Sequence, residues 1–139
     1  MIPMSTRAVF TFSDPDTVGS PFVVYKHYDG YPTGALEALQ NAREVAWPLP
    51  RFEADEFAAA FIAANKTGPG GVRIVGRGPW NAISPADIEY AYHVVMFASG
   101  HVRVSGHAVA WNDETGALEA GPAVLIPFRL RDLASKAAS

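Results

Sequence analysis

The sequence predicts an α+β fold, a two-layer sandwich with a mainly antiparallel sheet and two helices packed on one face. Two observations lead to this prediction. Segments with the two-residue alternation of strands lie on both sides of a stretch with helical spacing. The strands are also not separated by regular helices, as the strands of parallel sheets are. The predicted element order is β-β-α-α-β-β-β, within a single domain spanning residues 1–139.

The first half of the chain supplies two strands and both helices. Alternating residues predict a strand at 7–12, and β-branched and aromatic residues predict a second at 22–27. Apolar residues at three- and four-residue spacing predict a helix that ends near position 46, before two prolines. A second helix is expected from Glu53, because acidic residues fill its first turn, where the helix dipole favours them.

The second half supplies the remaining strands, predicted at 72–75, 88–97 and 102–111. Residues 124–128 are left open as a last strand, and 130–138 are expected to form a short helix. The two long strands form a hairpin, and a three-residue loop pairs Phe97 with His101. This register makes one hairpin face almost purely apolar, and we expect the helices to cover it. A one-residue slip would move every side chain to the other face.

The composition limits the function. The chain has 139 residues, of which 49% are hydrophobic and 18% charged, enough apolar material for one core. The net charge of −3 argues against nucleic-acid binding, which needs a basic surface. The sequence shows no cysteine, no membrane-length apolar run and no signal-peptide pattern. We therefore expect a cytoplasmic protein without cofactors or membrane contact. The ends of the chain, residues 1–5 and 134–139, are expected to be frayed.

The most distinctive local string runs from Tyr25 to Pro32 and surrounds one turn before a helix. It offers stacking surfaces and a group that titrates near neutral pH, beside the N–H groups of a helix start. A ligand-binding rim is one hypothesis. The alternative is that Asp29 and Gly30 only make the turn while the tyrosines pack over the sheet edge. The candidate ligand-binding residues are Tyr25, His27, Tyr28, Asp29, Tyr31 and Glu89.

The second face of the hairpin mixes polar and large apolar side chains, and it has three interpretations. Two imidazoles and a carboxylate resemble a metal-ligand set, but diagonal neighbours on strands lie several ångströms apart, so no metal site is predicted. A solvated face with cross-strand polar pairs is the simplest interpretation. An exposed apolar patch favours a homodimer. The weak metal candidates are Glu89, His93 and His107, and the candidate interface residues are Val95, Phe97, Val109 and Trp111.

Two strings together resemble a known group of proteins. They are the turn at Tyr25–Pro32 and the later strand at Asp87–Tyr92, which reads Asp-Ile-Glu-Tyr-Ala-Tyr. The chain is similar here to small uncharacterised bacterial and phage-borne proteins with an aromatic-basic-His-aromatic-Asp-Gly-Tyr-Pro turn and a later Asp-x-Glu-Tyr-x-Tyr strand. The resemblance implies a compact intracellular protein from a prophage or another mobile element. It implies no activity, cofactor or catalytic residue.

If both strings act together, Glu89 or Tyr90 is expected near the turn, with the second strand beside the 88–97 strand.

Three functions are open at this point. No catalytic motif occurs, so a non-catalytic binding or interaction protein acting as a homodimer is favoured. The alternatives are a small-ligand-binding protein or weak enzyme that uses His27 and Asp29, and a phage-encoded inhibitor of a host protein.

Overall fold

The chain folds as α+β around one six-stranded sheet. The computed structural model describes residues 6–14, 22–46, 53–96 and 102–124. The strands are β1 (Ala8–Ser13), β2 (Phe22–Lys26), β3 (Val72–Arg77), β4 (Tyr90–Met96), β5 (Val102–Asn112) and β6 (Ala117–Ala123). The helices are α1 (Pro32–Val45), α2 (Ala54–Asn65) and the one-turn α3 (Trp80–Ile83).

The sheet is mixed, which corrects the mainly antiparallel sheet expected from the sequence. Its strand order is β3-β2-β1-β4-β5-β6. Among the described strands the β1–β4 pair is parallel and the other pairs are antiparallel. After β3 the chain crosses the sheet through α3 and enters β4 beside β1. That crossover carries a single helical turn, so the sequence shows none of the regular helices that usually mark parallel strands.

The element order also differs from the prediction, because α3 and β6 were not expected. β6 reads Ala-Leu-Glu-Ala-Gly-Pro-Ala and lacks the β-branched and aromatic residues that signal a strand. It forms because the turn after β5 returns it as a hairpin, with Gly116 in the left-handed region at φ 65°. Val124 follows β6, and its N–H donates to the Gly106 carbonyl over 3.0 Å.

Some predictions fall outside the described residues. They are the remainder of the possible strand at 124–128, the helix at 130–138, and the frayed ends at 1–5 and 134–139. Within the described residues, no helix is long and apolar enough to cross a membrane.

The predicted register of the long hairpin is confirmed. Tyr90 pairs with Ala108 and Met96 with Val102, the alignment that a Phe97–His101 pair would continue. Phe97 and His101 themselves lie outside the described residues.

The sheet face covered by α1 and α2, here called the helix face, holds the main core. Phe10 of β1 packs against Phe61 of α2, with ring centres 4.6 Å apart, and stacks on Tyr92 of β4 at 5.0 Å. A Cβ at Gly106 would lie 2.6 Å from the Tyr92 ring, so only glycine leaves room for that tyrosine. The helices thus cover the β4 side of the apolar hairpin face, as expected, whereas on β5 Ala108 is partly buried and Ala110 is exposed.

The other side of the sheet, here called the opposite face, has a smaller core of its own. Val9, Tyr25 and Ala91 are buried there, and Trp80 and Ile83 from the α3 crossover pack against them. Part of this face is therefore covered by the crossover that makes the sheet mixed.

Candidate functional site

The turn between β2 and α1 is fixed by its backbone. Asp29 takes a left-handed conformation at φ 57°, which aspartate tolerates better than most residues. The Gly30 N–H donates to the Thr6 carbonyl over 2.8 Å. A Cβ at Gly30 would lie 2.6 Å from that oxygen and 2.7 Å from the Ala8 side chain, so glycine is required. The turn is thereby pressed against the start of β1.

A buried hydrogen bond joins the turn to β4. The Tyr92 hydroxyl donates to the Gly30 carbonyl over 2.6 Å, across 62 residues of sequence. We expected the Asp87–Tyr92 string to reach the turn through Glu89 or Tyr90, on a strand beside β2. Instead β1 lies between β2 and β4, and the contact comes from Tyr92, whose side chain extends beneath the turn.

The candidate ligand-binding residues are divided between the two sides of the turn. Tyr25 and His27 alternate onto the opposite face, where a 2.7 Å hydrogen bond joins the Tyr25 hydroxyl to His27 Nδ1. The Arg73 guanidinium carbon lies 4.6 Å from the centre of the Tyr25 ring. Burial raises the pKa of Tyr25, and the nearby Asp87 carboxylate adds to the rise. These side chains therefore pack on one another on the opposite face.

Glu89 has a partner away from both the turn and the histidines. Its Oε2 accepts the Arg7 backbone N–H over 3.2 Å, while the Arg7 Nε pairs with Asp87 at 3.2 Å. This places Glu89 beside the Arg7–Asp87 ion pair, where β1 and β4 begin.

Two of the weak metal candidates do approach each other. His93 and His107 have ring centres 6.1 Å apart on the opposite face. Burial lowers the pKa of His93, and His107 lowers it further, so the neutral imidazole is favoured. Glu89 does not complete the set, and the described part of the chain holds no group of three such residues placed to bind a metal ion.

The candidate interface residues differ in exposure. Trp111 is 49% exposed, whereas Val95 is partly buried and Val109 packs against the smaller core of the opposite face. Phe97 lies outside the described residues.

The other side of the turn opens onto a groove. A cavity of about 370 Å³ lies between the end of β2, the first turns of α1, the end of α2 and the loop before β3. Its polar lining consists of Lys26, Asp29, Glu37, Asn41, Asn65 and Thr67, with Tyr28 also among its walls. The groove therefore takes Tyr28 and Asp29 from the candidate set and combines them with residues that sequence reasoning did not select.

Lys26 is the central charged group of this groove. Its side chain is partly buried, and its ammonium donates a hydrogen bond to the Tyr28 carbonyl. Burial lowers the pKa of Lys26, although the carboxylates of Asp29 and Glu37 act in the other direction. Desolvation is the larger of these effects, so the groove favours the neutral amine more than water does.

Asn65 in the groove lining and Tyr31 beside it have defined hydrogen-bond partners. The Asn65 Nδ2 donates to the Ala38 carbonyl at 3.0 Å and to the Phe61 carbonyl at 2.9 Å, which uses both amide protons and ties α2 to α1. The Asn65 oxygen is thus the acceptor left for the groove. The Tyr31 hydroxyl donates to Asp29 Oδ1 over 3.3 Å, and the Asp29 charge raises the pKa of Tyr31.

The sequence contained one usable signal for this groove. Lys26 follows Tyr25 on β2, so strand alternation directs these two side chains to different faces of the sheet. Glu37 and Asn65 carried no local signal, because helix packing brings them to the turn.

No family model matches the chain, and searches of curated proteins and of solved structures gave no match. The function is therefore inferred from the geometry of the turn and its groove.

Proposed function

We propose that the chain is a non-catalytic binding protein that holds a small polar organic molecule in the groove beside the turn. The observation that carries this proposal is the partly buried Lys26, which lines a cavity of about 370 Å³ together with Asp29 and Glu37. Ligand sites commonly have volumes of roughly 300–1,000 Å³ and a few convergent polar groups. A charged amine desolvated in such a cavity is the kind of group that marks a binding site.

The groove favours a ligand that both donates and accepts hydrogen bonds. Lys26 is a donor, whereas the carboxylates of Asp29 and Glu37 and the Asn65 oxygen are acceptors. Hydroxyl and carbonyl groups on one small molecule would satisfy both kinds of partner. Tyr28, which is 44% exposed, adds an aromatic surface against which carbon atoms can pack.

The geometry favours binding over acid–base catalysis by His27 and Asp29. A catalytic pair needs hydrogen-bonding reach between the acid and the base. Here His27 is bonded to Tyr25 on the opposite face, and Asp29 accepts from Tyr31 on the groove side.

Saturation-transfer NMR with three probes, D-glucose, D-glyceraldehyde and L-lactate, tests the proposal. The variant Ala64→Trp places a large ring in the groove, which Ala64 lines, and should abolish the transfer. The matched control is Ala63→Trp, an exposed position one residue away that does not line the groove and should preserve it. Thermal unfolding of both variants checks that each is folded. Absence of transfer from all three probes, or transfer that Ala64→Trp leaves unchanged, would contradict the proposal.

Homodimer formation is a second proposed function, favoured by the exposure of Trp111. This ring stands on β5 opposite Leu118 and is 49% exposed. Pairing through the edge strand β3 is disfavoured, because a second copy lying antiparallel would bring Arg73 toward Arg77. Light scattering at micromolar concentration should give a dimer that Trp111→Asp converts to monomer. A monomeric parent protein would exclude it.

A further inference from the structure

We infer that Lys26 captures small hydroxylated aldehydes in the groove as a reversible imine. This inference rests on the proposed function, because it names the ligand class of the same site. Three observations carry it: an amine held at the wall of a cavity, two carboxylates beside that amine, and an acceptor across the groove with no proton of its own to donate.

The amine is held in place by the turn. Its hydrogen bond to the Tyr28 carbonyl fixes Nζ near the groove. Because the side chain is partly buried, a ligand approaches Nζ from the groove side. The turn is itself rigid, because the Gly30 backbone is bonded to both Thr6 and Tyr92. An entering molecule thus meets an amine whose position is already set.

The groove also shifts the protonation equilibrium of that amine toward the neutral form. Only a neutral amine is a nucleophile, and burial lowers the pKa of Lys26, so more of it is neutral at a given pH than of a fully hydrated lysine. The carboxylates of Asp29 and Glu37 lie close enough to act on its charge, and they are suitable acceptors and donors for the protons that move during the reaction.

The reaction balances without an oxidant or reductant. The neutral Nζ bonds to the carbonyl carbon, and the carbonyl oxygen takes up a proton to give a carbinolamine. The carbon–oxygen bond then breaks, the oxygen leaves as water with both protons originally on Nζ, and a carbon–nitrogen double bond remains. Water entering the open groove reverses each step. A protonated imine would keep a positive charge beside Asp29 and Glu37, which stabilises it.

The hydroxyl groups of the ligand account for the other polar partners. Both amide protons of Asn65 are used within the protein, so its oxygen can accept a hydroxyl proton from the ligand. An aldehyde with neighbouring hydroxyl groups fits this arrangement better than a purely apolar aldehyde of equal length.

Reductive trapping tests the inference. D-Glyceraldehyde and sodium cyanoborohydride are added at neutral pH, and peptide mapping by mass spectrometry locates the label among the three lysines Lys26, Lys66 and Lys136. Lys66, whose Nζ donates to the Val72 carbonyl at 3.0 Å, is the internal reference on the same protein. We expect several-fold more label on Lys26 than on Lys66 at early times, and less with propanal, which lacks hydroxyl groups.

Variants separate the site from general lysine chemistry. Lys26→Arg keeps the charge but should lose the fast label, whereas Lys66→Arg should keep it. Ala64→Trp should slow labelling of Lys26 without altering Lys66, and Ala63→Trp should change neither. The ratio in the parent protein needs no variant, so the test holds even where a substitution impairs folding.

The two proposals fail in different ways. Equal labelling of Lys26 and Lys66 overturns the imine inference. If D-glucose or L-lactate still shows saturation transfer that Ala64→Trp abolishes, the proposed binding function stands. Equal labelling together with no transfer from any probe overturns both.

Discussion

The two sides of the turn between β2 and α1 differ more than their sequence suggests. On the opposite face, Tyr25 and His27 are bonded to each other beneath Arg73. On the helix face Lys26 borders an open cavity, and Tyr28, whose ring centre lies 4.6 Å from that of His27, lines the same cavity. The Tyr25–Pro32 string therefore contains both side chains that stabilise the fold and side chains that line the groove.

Because strand alternation places Tyr25 and Lys26 on different faces, the two neighbours have different roles. Tyr25 and His27, two of the most distinctive side chains of the string, are bonded to each other. The side chain with the most perturbed surroundings in the groove is Lys26, which looks ordinary in the sequence. A hydrogen-bonded cluster can be stable without binding anything, whereas a partly desolvated charge that lines a cavity is typical of a binding site.

Replacement of Gly34 should disturb the turn most. A Cβ at this position would lie 2.1 Å from the Asp29 carbonyl oxygen, so α1 would have to separate from the turn. We expect Gly34→Ala to lower the free energy of unfolding by about 3 kcal/mol, at the upper end of overpacking effects. Urea unfolding measures this. The control Gly68→Ala has open space and should change stability by less than about 0.5 kcal/mol. Equal stabilities for the two variants would show that the turn tolerates a side chain.

Removal of the Tyr92 hydroxyl should have the next largest effect. It leaves the buried Gly30 carbonyl without this donor while keeping the ring stacked on Phe10. The expected loss for Tyr92→Phe is about 2 kcal/mol. Tyr90→Phe, on the same strand, is the control and should cost less. Chemical denaturation of both proteins decides between a structural bond and an incidental one.

The same hydroxyl predicts a dependence on alkaline pH. Burial raises the pKa of Tyr92 above its ordinary value. Its stabilising contribution is therefore complete below the unfolded pKa of about 10 and is lost as the pH rises above it, because the unfolded chain then ionises first. The stability gap between the parent and Tyr92→Phe should narrow above about pH 10. A gap that stays constant would mean that Tyr92 is not desolvated. Tyr25, whose pKa is also raised, is present in both proteins and cancels.

Replacement of Lys26 should change stability least. The folded pKa lies below the unfolded one, so at neutral pH the unfolded chain holds the proton more tightly and this lysine costs stability. Lys26→Met keeps the aliphatic stem, removes that cost and loses the bond to the Tyr28 carbonyl. The net change should fall within about 0.5 kcal/mol, either way. Thermal unfolding tests this, and a large loss would identify Lys26 as a structural residue.

The sequence was most informative where one face of an element is apolar. The long hairpin could be aligned because only one register collects its apolar residues, and the structure confirms it. The parallel β1–β4 pair could not be predicted, because it results from a crossover whose single helical turn has no periodic pattern. Strand β6 was not predicted because its sequence contains Gly and Pro and lacks a strand pattern. It forms by pairing with β5.

The position of the candidate site could be predicted from the sequence, but many of the residues that line it could not. Asp29 and Gly30 predicted the turn, because both residue types tolerate the positive φ that tight turns need. The Tyr92 bond and the Glu37 and Asn65 walls come from elements distant in sequence, so no local pattern contains them.

An amide NMR titration tests most directly that ligands bind the turn on its Lys26 side and not on its His27 side. D-Glucose and D-glyceraldehyde are added in turn to ¹⁵N-labelled protein. We expect shifts concentrated at Lys26, Asp29 and Asn65, unchanged in Tyr25→Phe and abolished in Ala64→Trp. Shifts centred on Tyr25 and Arg73, or no shifts with either probe, would contradict it.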